Sequence, residues 1–246
     1  MLSLIAYFEA SRPLASIETL SRAINVPKST AYRYVSLLRE FGFLVEVPGG
    51  QYSLGPRAMG MARAAQAAVS YLEVARPAME QLSHTAGETV FLLRRVGDHA
   101  VCLGRCDPVH PVRIFLEIGT AVPLHVGASP KLLLATLSER ERESYLTRIV
   151  GQDRELKTRL AALREDLVQI RTKGYAITVD EITPGVWACA APIVETGQVI
   201  AVMSVAGPAF RLDRGRRTQN QAMVKRAAAE VSASLQRLQE IPRIPA

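Results

Sequence analysis

One pattern within the first sixty residues restricts the fold more than any other: two short helical segments meet at a sharp turn, and a glycine-centred pair of extended segments follows at once. Ser16 can cap a helix whose Ile17, Leu20 and Ile24 fall on one face. Asn25-Val26 makes the turn, Pro27 stands where a first helical residue belongs, and Pro27–Phe41 runs as a second helix to Gly42. Phe43–Val47, Pro48-Gly49-Gly50 and Gln51–Leu54 then read as a two-stranded hairpin. A short helix marked by Ile5 and Phe8, broken at Ser11-Arg12-Pro13, comes before them. Helix, turn, helix and wing is the plan of a winged helix-turn-helix head.

The chain of 246 residues is too long for that head alone, which leaves room for a second domain with a core of its own. Gly55-Pro56 punctuates the sequence, and Arg57 to about Ser70, rich in Ala and Met, reads as a connecting helix. A further helix over about Leu72–Ala86 stops at Gly87. Strand patterns follow at Thr89–Val96, Ala100–Cys106 and Val112–Ile118, then helical ones at Pro130–Leu137, after a capping box at Ser138–Glu141, and at Leu156–Lys173. Tyr175–Val179, Val186–Val194 and Val199–Ala206 return to strand, the last two joined at Thr196-Gly197, and Gly215–Leu238 closes as a helix. Runs of hairpin-joined strands between runs of helix predict an α+β second domain. The expected domains are 1–56 for the head, 57–71 for the linker helix and 72–246 for the rest.

Hydrophobic residues at 48% and charged ones at 22% match ordinary globular usage, which excludes a disordered or fibrous chain. Three cysteines, an odd number, predict reduced thiols, and no stretch has the ~18–20 apolar residues of a membrane span. Both point to the cytoplasm. The formal charge of +7 invites a polyanion, yet residues 1–60 carry six Lys/Arg against four acids, whereas residues 211–226 carry six against one. Most of the excess therefore lies far from the head, where a solvated helix face explains it. Net charge is not the argument for binding DNA.

The argument is the second helix of the head. Such a helix lays its N-terminal residues in the major groove, so these must be compact, polar and outward-facing. Here they are Lys28, Ser29, Thr30, Tyr32, Arg33 and Ser36, opposite a core stripe of Ala31, Val35 and Leu38. Arg33 suits a bidentate guanine contact, while Lys28 and the helix N-terminus suit phosphate.

At these residues the chain resembles the IclR family of bacterial transcription factors, over roughly residues 1–240. Pro27–Arg33 looks like the family's recognition-helix signature and Tyr52–Gly55 like its wing-to-linker step. Pro123-Leu124-His125 with Lys131, Gly174–Ala176, Asp180-Glu181, Gly185-Val186, Ala190–Ile193 and Ser204–Pro208 resemble its effector-domain signature. The resemblance implies a winged head joined by a helix to a GAF-like α/β effector-binding domain. It also implies homodimers that pair into tetramers, a near-palindromic double-stranded operator, and a small organic acid that changes operator occupancy. Family effector contacts carried over fall on the backbone amides of Ala128 and Ser129 and on Thr178, Ala188, Ser204 and Ala206. Unpaired N–H groups before a helix starting at Pro130 would suit a carboxylate. Where better-studied members place an Asp, a Cys and a second Ser, this chain has Thr178, Ala188 and Ala206, and Pro130 replaces a usual Gly. Cys189, one residue off, should face the other side of its strand. Fewer polar side chains beside a retained amide pair suggest an acid with a larger, aromatic-type body.

Rival chemistries fit less well. Cys102, Cys106 and His110 are spaced suggestively for a metal, but four residues along one strand separate the thiols by roughly 13 Å, too far for one zinc. A hydrolase using Ser129 would need an elbow with a closing Gly and a later His, and no His follows His125. No dinucleotide or P-loop motif is present, so no cofactor is expected. His125 reads as a structural hydrogen-bonding residue and Trp187 as core. Glu181, a carboxylate that would repel an acid ligand, should bind backbone or water at the mouth of the site. The expectation is a non-enzymatic, effector-responsive DNA-binding regulator. The alternatives are a sensor that binds no DNA and, last, the Ser129 hydrolase.

Overall fold

A computed structural model describes residues 2–8, 12–67, 70–151 and 154–240 of the chain. They fall into two units, Met1–Val69 and Ser70–Ala246. The linker segment up to residue 69 groups with the first, and its residues 68 and 69 lie outside the described residues.

In the first unit a short helix α1 (Leu2–Ile5) and a strand β1 (Ala15–Ser16) lead into α2 (Ile17–Ala23), whose first turn is capped by Ser16 Oγ accepting the Thr19 N–H at 3.3 Å. The turn after α2 is tied by the Ser21 hydroxyl, which donates to the Val26 carbonyl at 2.6 Å. Pro27 is the N-cap of α3 (Lys28–Glu40) rather than its first helical residue. Its ψ of 148° is extended, the conformation a capping residue takes. Strands β2 (Leu44–Val47) and β3 (Gln51–Leu54) form the wing, and β1, which the pattern did not announce, pairs with β3 to make a three-stranded sheet. Leu4, Leu20, Ala31, Val35, Leu38, Leu44 and Tyr52 share one core, so the wing is packed onto the helices. α4 (Pro56–Ala67) departs from the wing at Gly55, whose N–H donates to the Phe43 carbonyl at 2.7 Å. A Cβ there would lie 2.3 Å from the Gly42 carbonyl oxygen, so only glycine permits this junction.

The second unit opens with α5 (Ser70–Ala86) and builds a six-stranded antiparallel sheet in the order β6-β5-β4-β9-β8-β7. Its strands are β4 (Thr89–Val96), β5 (His99–Cys106), β6 (Ala121–Pro123), β7 (Ala176–Val179), β8 (Val186–Glu195) and β9 (Gln198–Pro208). α6 (Ala128–Ala135), α7 (Glu139–Val150) and α8 (Arg154–Lys173) cover one face; α5 and α9 (Arg214–Glu240) cover the other. The capping box is formed as expected, Ser138 and Glu141 each accepting from the other's backbone. Trp187, 1% exposed, is core, on the face opposite Ala188.

Residues 112–118 are not a strand. Three of their carbonyls are taken by side chains instead of a ladder: Thr89 Oγ1 donates to Ile114, an Arg105 guanidinium nitrogen to Leu116, and Arg211 to Val112. The segment lies over the α6 face of the sheet, with Ile114 and Leu116 partly buried against its core. The true edge strand is β6, just beyond it.

Candidate functional site

Helix α3 divides cleanly. Ala31, Val35 and Leu38 are buried, whereas Lys28, Ser29, Tyr32, Arg33 and Ser36 are exposed and Thr30 is half-buried. The candidate reading edge is thus presented outward on a helix whose other side is fixed in a core. Not every charge on it is uncommitted. Lys28 Nζ lies 2.8 Å from Glu18 Oε1 of α2, and Arg39 pairs with Glu46 of the wing at 2.9 Å while stacking over the Tyr52 ring. Arg33 lies over the Tyr34 ring at 5.9 Å and forms no ion pair among the described residues.

In the second unit the carried-over positions converge. Strand register puts Thr178 beside Ala188, Ala188 beside Ala206 and Ala206 beside Thr89, one row across β7, β8, β9 and β4. Ser204 lies in the next row, between Ala190 and Phe91. Ala128 of α6 packs in the same cluster as Ala188 and Ala206, so the helix start faces this row. The helix begins at Ala128, two residues before the expected Pro130. Gly127 is the N-cap at φ 88°, Ala128 and Ser129 are the first two helical residues, and Pro130 occupies the third position, where a missing N–H costs nothing. The Ala128 and Ser129 amides therefore have no acceptor within the helix. Ser129, Thr178 and Ser204 are all more than nine-tenths buried, yet among the described residues their hydroxyls make no hydrogen bond. Unpartnered hydroxyls on such deeply buried residues, at and beside a helix N-terminus, suit a polar ligand group.

Glu181 does bind backbone, but not only that. Its Oε2 accepts the Gly127 N–H at 3.0 Å, and its Oε1 accepts from Lys131 Nζ at 2.6 Å, while Asp166 of α8 accepts from the same ammonium at 2.6 Å. Burial alone would lower the Lys131 pKa, but the two carboxylate hydrogen bonds outweigh it and hold the pKa above its ordinary value. Ile182, next along the loop, lies against Gly127, where an added Cβ would be 2.5 Å from Ile182 Cδ1. Sequence reasoning missed this network because its members lie far apart in the chain; the one local signal was a lysine placed among apolar residues of α6.

Models for two families match the chain: the bacterial transcriptional regulator IclR C-terminal domain over residues 65–233 and the IclR helix-turn-helix domain over residues 1–48. The chain belongs to the IclR family. It is 29% identical over 239 residues to the HTH-type transcriptional repressor AllR of Escherichia coli (strain K12), covering 95% of this chain and 88% of that protein. To the HTH-type transcriptional regulator KipR of Bacillus subtilis (strain 168) it is 28% identical over 227 residues, 91% of each chain. An IclR-type regulator from Silicibacter sp. TM1040 superposes with a TM-score of 0.85 at 25% identity, covering 95% of this chain and 94% of that one. An IclR homolog of Microbacterium hydrocarbonoxydans, crystallised with 4-hydroxybenzoate, gives 0.77 at 24% identity over 95% and 96%, a likeness of fold. Like its relatives, this IclR-family chain is a transcriptional regulator with a helix-turn-helix DNA-binding domain, not an enzyme. Among the described residues no helix is long and apolar enough to cross a membrane.

The remaining rival residues have structural places in this IclR-family fold. His125 Nδ1 and the Tyr145 hydroxyl are hydrogen-bonded at 2.8 Å, with burial pushing Tyr145 up to about 12, so the phenol keeps its proton. The two strand thiols do not even share a face. A bulge between Leu92 and Leu93 shifts the β5 register, so Cys102 joins the α6 core whereas Gly104 and Cys106 turn toward α5. Burial raises Cys102 to about 11 and Cys189 to about 12. In the folded protein iodoacetamide at neutral pH is therefore expected to label at most half-buried Cys106, and all three cysteines once denaturant is added. Mass spectrometry of the labelled chain checks this; rapid native labelling of Cys102 or Cys189 would contradict the packing.

Proposed function

We propose that the protein binds a near-palindromic double-stranded operator as a homo-oligomer, a dimer or a pair of dimers, and that a small carboxylic acid with an aromatic-type body changes operator occupancy. Residues 1–56 would read DNA, 57–71 connect, and 72–246 bind the effector. The observation that carries the reading is the meeting of two amides without helical acceptors with the unpartnered hydroxyls of Ser129, Thr178 and Ser204, residues more than nine-tenths buried, beside an alanine-lined sheet row. The amides and the positive end of the α6 dipole suit a carboxylate, and the alanines at 188 and 206 leave room for an apolar body. The 4-hydroxybenzoate complex of the Microbacterium relative supports a ligand of this class. An effector can act only through its differential affinity for two arrangements of the paired heads.

On DNA, Lys28, Ser29, Thr30, Tyr32, Arg33 and Ser36 form the reading edge. Arg33→Ala is expected to weaken operator binding by about 1–3 kcal/mol and to relax preference at one base. Lys28→Ala should weaken all duplexes alike and lower the salt slope, by less than a free lysine would, because a phosphate must first replace Glu18. Gel shifts on a selected genomic operator and a scrambled duplex at two salt concentrations separate the two. Equal losses on both duplexes for Arg33→Ala would argue against direct readout. The same operator, titrated with aliphatic and aromatic carboxylates, tests the effector: a response confined to the smallest aliphatic acids defeats the aromatic-type body.

A further inference from the structure

The N-terminus of α6 is less positive than a helix start with an adjacent lysine would be. Three backbone N–H groups precede Lys131 there, those of Gly127, Ala128 and Ser129, since Pro130 has none. Glu181 already occupies the Gly127 N–H. Lys131, the cation on the helix itself, is bound by two carboxylates, Glu181 and Asp166, so the trio carries a net charge of −1. Arg105, across from Phe91 on the same sheet face, is spent as well: it pairs with Asp107 at 3.1 Å and donates to the Leu116 carbonyl. Asp180 beside Glu181 adds no positive charge, its carboxylate accepting the Gly185 N–H. What remains for a ligand is two amides, the unpartnered Ser129, Thr178 and Ser204 hydroxyls, and a carboxylate held at the third amide.

We propose that Glu181 is a specificity-determining residue that limits the effector head group to a single negative charge, excluding phosphates, phosphonates and other dianions. The inference rests on the reading of α6 as the carboxylate site and sharpens it to monoanions. Its basis is that two amides and a helix dipole of about half a charge can offset one ligand charge, while a fixed neighbouring carboxylate acts on every unit of ligand charge in proportion. Glu181 is held in this place from two sides, by the Lys131 ammonium and by the Gly127 N–H.

The test uses three probes with one ring and different heads: benzoate, benzenesulfonate and phenylphosphonate, titrated calorimetrically at a pH where the phosphonate is a dianion. Benzenesulfonate separates tetrahedral shape from charge. The full chain should bind both monoanions and discriminate against the phosphonate. In Glu181→Gln, with the charge removed and an acceptor kept, the gain for the dianion should approach the square of that for a monoanion, so about fivefold for benzoate becomes about twenty-five-fold for phenylphosphonate. Glu181→Ala should show the same ordering without the acceptor. Operator binding by each variant verifies its fold. Equal gains for all three heads, a loss for all three, or full-chain binding of the phosphonate as tight as of benzoate overturns the inference and leaves the carboxylate site standing. Failure of every probe to bind any form removes the α6 site itself and the inference with it.

Discussion

Arg211→Ala will destabilise the C-terminal unit by about 3–5 kcal/mol, the cost typical of leaving one partner of a buried ion pair alone. Glu88 is 1% exposed, and its carboxylate is held by both guanidinium arms, Nε at 2.8 Å and an Nη at 2.6 Å. Arg211 also donates to the Val112 carbonyl, so its removal strips a buried charge of its counterion and one end of the 112–118 segment of its tether. Glu88 has little room to escape. Its side chain lies where a Cβ on Gly207 would stand, 2.3 Å from that position. Trp187, the chain's single tryptophan, is buried in this unit and reports its urea transition without interference from the head. The double replacement Glu88→Met with Arg211→Met should recover much of the loss, because apolar substitutes leave no orphaned charge. A loss below about 1 kcal/mol for Arg211→Ala, the size of an exposed pair, would mean that water reaches Glu88.

Ala188→Phe should abolish the effector response while leaving operator affinity intact. Ala188 is the middle of the Thr178–Ala188–Ala206 row and is only partly buried, packed at the margin of the core, so an added ring there would occupy the proposed ligand position. Overpacking at such a position costs about 1–3 kcal/mol, which the unit can bear, whereas a ring in the proposed ligand position would prevent binding. Ala188→Ser, nearly isosteric, should keep the response. Fluorescence anisotropy of labelled operator, with and without an acid that acts on the unmodified protein, reads both properties at once. A response that survives Ala188→Phe places the effector elsewhere.

Much of this architecture was legible from local pattern. The Ser16 cap, the α3 stripe, the glycine wing, the Ser138–Glu141 box and the Thr196-Gly197 hairpin are each specified by residues within a few positions of one another, which is the range over which capping, amphipathicity and turn chemistry operate. The errors share a cause. Val112–Ile118 alternates like a strand, but Arg105, Thr89 and Arg211 claim its carbonyls from three separate elements. The distance argument that kept Cys102 and Cys106 apart assumed a regular strand; the β5 bulge separates them by turning them to opposite faces.

The candidate site shows the same division. Ala128, Ser129, Thr178, Ala188, Ser204 and Ala206 could be named through family resemblance, and the outward edge of α3 through periodicity alone. That Lys131 is neutralised twice, that Glu181 sits on the Gly127 amide and that Glu88 depends on Arg211, 123 positions away, could not. By itself the sequence determined most of the helices, strands and turns, because those choices rest on interactions between near neighbours. Only the tertiary structure decided which charges face each other and what remains available to a ligand, because electrostatic pairing and burial depend on distances that chain folding alone sets.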